Sequence, residues 1–240
     1  MRLRHTGTRA GVLVLLMVAA LAACSGSDKA PQAKAPTAAE QLAAAKVKFD
    51  AATSMHMTLR SSDIPASVNG VLDADGSGTK APAFKGTLDV RLGGVEVKLG
   101  VVAVDKLLYV KLPFTTKFTQ LDPKTLNAPD PAQLFATEGG ISSLMTATTN
   151  PVEGKKIRVG SEILQTITGT LPGSSVVRLL NIGDATKSFQ VTYGLTVPGG
   201  ELRTVTMVGP FYPGATSTSA TSTYVLTLDK YGAPVAISKP

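Results

Sequence analysis

The sequence is poor in the residue types that carry most protein chemistry. Its 240 residues include one cysteine, two histidines and no tryptophan, and aromatic residues make up only 5% of it. His5 lies in a segment that is predicted below to be a removed leader, and Cys24 follows that segment directly. The remaining chain then has one histidine, His56, and no free thiol. This composition excludes disulfide frameworks, cysteine-rich zinc sites, multi-histidine metal sites and cysteine nucleophiles, and we expect no cofactor.

A block of like charge is also missing. Lys and Arg number 24 against 17 Asp and Glu, but Arg2, Arg4 and Arg9 belong to the leader and the other basic residues are dispersed. No basic run is longer than Lys155-Lys156. Nucleic-acid binding usually depends on a basic stripe with interleaved aromatic residues, so nucleic acid is not expected as a partner. The charge supports only a mild attraction to anionic lipid head groups.

Residues 1–23 have the form of a secretory signal peptide. A basic start precedes an uninterrupted apolar run over residues 11–23. As a helix this run would rise only about 20 Å, which is too short to cross a hydrocarbon layer of roughly 30 Å. The run ends in Leu21-Ala22-Ala23-Cys24, which resembles the lipobox of bacterial lipoproteins. We therefore expect cleavage before Cys24 and acylation of its thiol; the alternative is an ordinary signal peptide with an incidental cysteine.

The chain after the leader begins with a tether and a helix. Residues 25–36 are mostly Ser, Gly, Lys, Ala, Gln and Pro, which are too polar to build a core, so they are interpreted as a flexible tether. Thr37 and Glu40 have the spacing of a capping box, which predicts a helix from Thr37 to about Thr53. The remaining residues, 37–240, are expected to form one domain.

A period of two in hydrophobicity dominates that domain. It runs through residues 55–60, 84–92, 95–101, 108–112, 189–197 and 224–228, separated by turn sequences such as Gly93-Gly94 and Asp105-Lys106. Such alternation predicts long antiparallel strands with one dry and one wet face. Helical spacing recurs only briefly, around Asp130 to Phe135, Ile141 to Met145 and Val176 to Leu180. The predicted fold is α+β, with nine or ten antiparallel strands and a few short helices on one face.

Two segments are predicted to lie outside the helices and strands. The acidic residues in segment 73–78 have the spacing found at the start of a calcium-binding loop. The segment lacks the distal ligands of such a loop, so it is interpreted as a plain hairpin turn. Residues 209–222, rich in Gly, Pro, Ser and Thr, are expected to form a long exposed loop or hairpin tip.

No local motif proposes a catalytic site. His56 lies on the polar side of a strand pattern, and the carboxylates are scattered. The abundant feature is aliphatic surface on the dry faces of the strands. Either this surface forms an ordinary filled core, or the short helices leave an apolar cavity that could bury acyl chains.

The ordered set of moderate motifs resembles the LppX/LprA/LprF/LprG lipoprotein family of mycobacteria and related actinobacteria. The matching features are the lipobox at Cys24, the segment 54–57, the strand pair from Gly93-Gly94 through 105–109, the segment 130–134, and the ending from Lys230 to Pro240. The resemblance implies a curved half-barrel sheet with helices on its concave face, enclosing a hydrophobic cavity. It also implies binding of multi-acylated lipids or glycolipids, such as phosphatidylinositol mannosides and lipoglycans or, in one branch, a wax-like envelope lipid.

The family resemblance further implies a role in carrying these lipids from the cytoplasmic membrane toward the outer envelope, in some cases with a membrane exporter. We expect a monomeric, non-enzymatic lipoprotein anchored by Cys24 to the outer leaflet of the cytoplasmic membrane. The first alternative is an envelope scaffold that has a filled core and acts through its surface. The second is a hydrolase of envelope glycolipids, which would use His56 or a pair of carboxylates at a pocket mouth.

Candidate binding residues follow from the alternation of the strands. Those expected to line the cavity are Met57, Leu59, Leu88, Val90, Val97, Leu99, Val101, Ile163, Ile167, Val191, Tyr193, Met207 and Leu226. A slip of one residue in strand register would exchange each of them for its neighbour. The residues expected to form a lid, or else to fill the core, are Phe135, Ile141, Leu144, Met145, Val177 and Leu180.

Overall fold

The computed structural model describes residues 34–121, 129–214 and 221–240, which form one large antiparallel sheet with helices over one face. The strands are β1 Ser54–Ser62, β2 Gly70–Thr79, β3 Ala83–Leu92, β4 Val95–Val104, β5 Leu107–Lys111, β6 Thr119–Leu121, β7 Thr149–Val159, β8 Glu162–Pro172, β9 Ser188–Val197, β10 Leu202–Gly209 and β11 Ser222–Asp229. The helices are α1 Ala38–Ala51, α2 Ile141–Ala147 and α3 Gly173–Leu180, together with a 3-10 helix, Gln133–Phe135.

The chain builds this sheet as two meanders that meet in the middle. Its order is β6-β5-β4-β3-β2-β1-β11-β10-β9-β8-β7. The first and last strands therefore pair, with His56 opposite Asp229. Within the described residues β6 and β7 remain the two free edges, so the sheet is not closed. The α+β prediction is confirmed, with eleven strands in the described residues instead of nine or ten.

The turns between neighbouring strands lie at two opposite ends of the sheet. At one end β3 turns into β4 through Gly93-Gly94, and we call this the Gly93 end. At the opposite end β4 turns into β5 through Asp105-Lys106, and we call this the Asp105 end. All four turn residues have positive φ, which confirms the tight turns predicted at both places. In the described part of the chain, no helix is long and apolar enough to span a membrane.

Helix α1 forms where the capping sequence predicts it. The Thr37 side chain accepts a hydrogen bond from the Glu40 amide, and the Glu40 carboxylate accepts one from the Thr37 amide. These bonds satisfy two donors at the start of the helix. The hydrogen bonds that the Thr37 amide and hydroxyl donate to the Glu40 carboxylate lower the pKa of Glu40. The helix then buries Leu42, Ala45 and Phe49 against the sheet.

The predicted hairpin turn at residues 73–78 is wrong, because this segment lies inside strand β2. Its glycines provide room for aromatic rings from other elements. A Cβ atom at Gly76 would lie 2.5 Å from Phe84 Cζ, and one at Gly78 would lie 2.2 Å from the ring of Phe135. The two rings stack with their centroids 6.2 Å apart. The glycine-rich composition therefore reflects close packing on the concave face and not a turn.

The predicted exposed loop at residues 209–222 is wrong for its first part. Phe211 is buried and packs edge-to-face against Phe189 and Tyr224, at centroid distances of 4.8 and 4.7 Å. Gly209 and Ser222 belong to strands β10 and β11. Residues 215–220 lie outside the described part of the chain.

The apolar face of α3 also differs from its prediction by part of a turn. The helix buries Val176 and Leu179, whereas Val177 and Leu180 are half-buried at the margin. Gly173 is buried on the same face, and its Cβ position is filled by backbone from residues 184–187, so this face packs against that loop.

Candidate functional site

A continuous row of side chains crosses the concave face of the sheet. Direct cross-strand pairs link Leu59 to Leu226, Leu226 to Val205, Val205 to Tyr193, and Tyr193 to Ile167. In the other direction the pairs run from Leu59 to Ala74, Leu88 and Leu99. Eight strands therefore contribute to one apolar row, which includes six of the predicted lining residues, namely Leu59, Leu88, Leu99, Ile167, Tyr193 and Leu226.

Most of the other predicted lining residues lie beside this row on the same face. Val90 pairs with Val97, and Met207 pairs with Val191. In the described structure Leu59, Leu88 and Val97 are half-buried, Ile163 is exposed at the Asp105 end, and the others are buried. The buried ones are Met57, Val90, Leu99, Val101, Ile167, Val191, Tyr193, Met207 and Leu226.

The helical cover is defined as α1, the 3-10 helix, α2 and α3. It contributes Phe135, Ile141, Leu144 and Met145, all of them buried in the same hydrophobic cluster as the sheet residues. Met55, Met57, Met145 and Met207 all belong to this cluster. Because methionine is unbranched and flexible, these contacts can repack at low cost when the contents of the interior change.

Polar contacts attach the helical cover to the sheet at a few points. The carboxylate of Asp50, on α1, accepts a hydrogen bond from Ser142 of α2 at 2.7 Å and lies 3.5 Å from Lys80 Nζ. The ammonium group of Lys46 forms an ion pair with the other carboxylate oxygen of Asp50. Lys80 also donates to the Phe135 carbonyl at 2.9 Å and lies 4.2 Å from the ring centroid of Phe49. This Asp50 network joins α1, α2, the 3-10 helix and the end of β2.

A second contact lies deeper. The hydroxyls of Thr148, which ends α2, and Tyr193 of β9 are 2.8 Å apart. Thr148 also donates to the Leu144 carbonyl, so it accepts the hydrogen bond from Tyr193. Burial raises the pKa of Tyr193 well above its usual value, which keeps the phenol neutral and able to donate.

The apolar face is more exposed at the Gly93 end of β3, β4 and β5, although Val90 remains buried there. Val101, Leu108 and Val110 are buried, Leu88 and Val97 are half-buried, and the exposed fractions of Leu92, Val95 and Leu112 reach 47%, 62% and 54%. We call this half-covered stretch, formed by Leu88, Val97, Leu92, Val95 and Leu112, the mouth. The mouth is visible in the sequence pattern, because the alternation of apolar and polar residues in these strands continues beyond the part of the sheet that the helical cover overlies.

The nine buried lining residues are each at most 7% exposed and form one hydrophobic cluster with the helical cover. Two spaces are prominent elsewhere: a groove of about 890 Å³ at the Asp105 end, between the β2–β3 turn and the segment Ala233–Ser238, and a polar depression of about 180 Å³ on the convex face. Among the described residues, Leu59 alone of the predicted lining set borders either of them. The predicted lining residues contact one another and the helical cover.

His56 lies on the opposite, convex face. Its Nδ1 is 2.7 Å from Asp229 Oδ1, and its Nε2 is 3.1 Å from Asp75 Oδ1. Since both ring nitrogens face carboxylates, neither is free to take a proton from a serine hydroxyl. Within the described residues, no three His, Cys, Asp or Glu side chains are grouped to hold a metal ion.

Comparisons with known proteins place this geometry among lipoproteins. A model of the LppX_LprAFG lipoprotein family matches residues 36–237. The crystal structure of LprF from Mycobacterium bovis is 15% identical, covers 85% of this chain and 96% of its own, and superposes with a TM-score of 0.69. That of LppX from Mycobacterium tuberculosis is 20% identical, covers 84% and 98%, and gives a TM-score of 0.61. A sequence comparison with curated proteins gives no match. The structural likenesses show a shared fold.

Proposed function

Because the chain belongs to the LppX_LprAFG lipoprotein family, we propose that it binds acylated lipids or glycolipids between its sheet and its helical cover. It helps transfer them from the cytoplasmic membrane toward the outer envelope. The observation that carries this proposal is the apolar row, which crosses eight strands and leads to the half-covered mouth. An ordinary core would end under its helices, whereas here the apolar face continues beyond them.

The energetics favour acyl chains as the cargo. Burial of a chain contributes about 0.8 kcal/mol per CH2, so one long chain contributes on the order of 10 kcal/mol before the cost of ordering it. A chain that enters at the mouth passes Leu88 and Val97 and separates the helical cover from the sheet. The cover is short and is attached at few polar points, and the methionines beneath it adapt to a new neighbour. Binding of this kind needs no catalytic group.

The membrane anchor belongs to the same proposal. Cys24 lies outside the described residues, as do the leader 1–23 and most of the tether 25–36. Two or three acyl chains on Cys24 would hold the protein stably at the outer leaflet of the cytoplasmic membrane, since one chain holds only marginally. The protein acts there as a monomer that receives phosphatidylinositol mannoside or a related lipoglycan, and a membrane exporter is the candidate partner for onward transfer.

A second candidate function is an envelope scaffold that acts through its surface. The close packing of the predicted lining residues favours it, because a filled core needs no cargo. A carrier requires an open mouth for the entry of lipid, whereas a scaffold does not. A bulky residue there blocks a carrier and leaves a scaffold intact.

Lipid transfer between vesicles tests the proposal. The unit Pro36–Pro240 contains the whole described core, so it is the protein to use. The wild-type unit is expected to accelerate the movement of a fluorescent triacylated lipid from donor to acceptor vesicles. Val97→Trp is expected to reduce the rate at least about tenfold while it leaves Tm within a few degrees, because Val97 is half-buried and tolerates added volume. The matched control is Val47→Trp on the exposed face of α1, which leaves transfer unchanged. Equal transfer by all three proteins, or none by the wild type, would contradict the proposal.

A further inference from the structure

The rim of the mouth carries large apolar side chains that are 47% or more exposed. Leu92 and Val95 flank the β3–β4 turn, and Leu112 and Phe114 lie in the loop between β5 and β6. Lys111 pairs with Gly100 and Thr119 pairs back with Val110, so this loop reverses the chain on the Gly93 side of β5. The four residues therefore lie toward the same end of the sheet. We call them the apolar tip.

The loop holds Phe114 outward. The amide and the hydroxyl of Thr115 both donate to the Leu112 carbonyl, at 3.3 and 2.8 Å, which closes a tight turn. Within this turn Phe114 has φ +61°, a left-handed conformation that bulky residues rarely adopt. Its side chain is fully exposed. The turn thus presents an aromatic ring to the surroundings at a cost in backbone energy, which is typical of a residue that acts on a partner.

The charges beside the tip identify the partner. Lys111 and Lys117 enclose the exposed segment 112–116, and neither forms an ion pair with an acid among the described residues. The nearby acids are already paired: Glu96 lies 2.6 Å from Arg91, and Asp89 lies 3.3 Å from Lys98. The tip therefore combines apolar side chains with two available cations. This combination fits a membrane surface, where apolar groups enter the acyl region and cations meet anionic phosphates.

We propose that the apolar tip docks the protein on a bilayer that contains anionic phospholipid, so that the mouth opens directly against the membrane. The tip residues differ from the predicted anchor residue, Cys24, and from the buried residues of the interior that holds the cargo. Docking is therefore measurable whether or not the protein carries lipid.

Vesicle binding tests this proposal with the unit Pro36–Pro240, which lacks the predicted anchor. Sedimentation is compared for vesicles of equal parts phosphatidylcholine and phosphatidylglycerol and for vesicles of phosphatidylcholine alone. The wild-type unit is expected to bind the anionic vesicles more tightly, with an affinity that falls as salt is added. Leu112→Ala combined with Phe114→Ala is expected to weaken binding about tenfold or more. Val47→Ala combined with Val152→Ala, which truncates exposed valines on α1 and β7, is the matched control and leaves binding unchanged.

Two double variants with equal changes of charge test the contribution of Lys111 and Lys117 to vesicle binding. Lys111→Glu combined with Lys117→Glu is expected to remove most of the preference for anionic vesicles. Lys155→Glu combined with Lys156→Glu, an equal change of charge on β7, is expected to retain it. Equal weakening by both pairs would show non-specific attraction by net charge and would overturn the proposal.

A fluorescent reporter gives an independent readout because the chain contains no tryptophan. Phe114→Trp is expected to shift its emission to shorter wavelength on anionic vesicles, while Val47→Trp does not shift. Absence of the shift in Phe114→Trp, or binding by the wild type that is no tighter to anionic than to neutral vesicles, would overturn the proposal. A Phe114 surface that serves a protein partner would give that negative result.

Discussion

The ring of Phe135 lies directly on the backbone of Gly78. A Cβ atom at Gly78 would come within 2.2 Å of the ring, so a residue with any side chain cannot occupy this position unless the ring moves. Phe135 belongs to the 3-10 helix and Gly78 to strand β2. One absent side chain in the sheet thus allows the helical cover to seat, and the contact offers a way to loosen the cover without touching the lining residues.

Gly78→Ala is expected to displace Phe135 and to lower the free energy of unfolding by about 2 kcal/mol, the cost of overpacking a filled site. In the carrier account it also speeds the entry of lipid, because the cover is held less firmly. Thermal unfolding and the rate of fluorescent lipid uptake measure the two effects. The matched control is Gly100→Ala, whose Cβ would lie an ordinary 3.4 Å from Lys111 Cβ. A faster uptake in the control, or a slower one in Gly78→Ala, would contradict the account.

The Asp50 network should contribute to stability through its half-buried charges. Asp50→Ala leaves Lys46, Lys80 and Ser142 without their shared acceptor, and it is expected to cost roughly 2 to 3 kcal/mol. Asp50→Ala combined with Lys80→Met should recover part of this loss, because one unpaired cation is then gone. Chemical denaturation of Asp50→Ala, of Lys80→Met and of the double variant measures the coupling energy between Asp50 and Lys80. Strict additivity of the two losses would show that Asp50 and Lys80 do not interact.

The same network predicts a dependence on pH. Burial lowers the pKa of Lys80 below the ordinary lysine value of 10.5, and the charge of Asp50 opposes that shift. Removal of Asp50 should therefore lower this pKa further. Between the folded and unfolded pKa values the unfolded chain binds more protons, so stability rises with pH in that window. The stability deficit of Asp50→Ala is expected to narrow as the pH rises toward the pKa of an unfolded lysine, about 10.4, and Lys80→Met in the same background should abolish the narrowing.

His56 is expected to stabilise the centre of the sheet and to have no part in turnover. Its two carboxylate contacts join β1 to β11 and to β2. His56→Gln should lower stability by about 1 kcal/mol and leave the amount of bound lipid unchanged. Assays with acyl esters and glycolipids are expected to show no hydrolysis by either protein. Hydrolysis by the wild type that disappears in His56→Gln would establish the hydrolase alternative.

The anchor and the binding site are predicted to be separable. Cys24→Ala is expected to yield a folded protein that is released from the membrane or mislocalised and still binds lipid. Fractionation of cells that produce the full chain measures the first property, and solvent extraction of the purified variant measures the second. Loss of lipid from a folded Cys24→Ala protein would show that the anchor and the site depend on each other.

Local patterns in the sequence predicted strands β1, β3, β4, β5, β9 and β11, the tight turns and the capped first helix, whereas β2 was predicted as a turn. The alternation at Met55 and Met57 and from Phe189 to Leu195 is confirmed by the burial of these residues on one face. These features depend on neighbours in the chain, so a period of two or a capping box reports them directly.

Features that depend on distant contacts could not be predicted in this way. Residues 73–78 have the composition of a turn, and only the rings of Phe84 and Phe135 explain their glycines. Phe211 lies in a stretch of turn-forming residues and is buried by Phe189 and Tyr224 from other strands. The close packing of the lining residues is likewise a property of how the helical cover seats on the sheet, which alternation along a strand does not encode.

The identity of the bound lipid is the decisive evidence for or against a carrier. The unit Pro36–Pro240 is produced in an actinobacterial host, purified without detergent, extracted with organic solvent and analysed by mass spectrometry. We expect a stoichiometric di-, tri- or tetra-acylated lipid from the wild type and a much smaller amount from Val97→Trp. An extract without lipid from a folded, stable wild-type unit would contradict the carrier function and favour the scaffold.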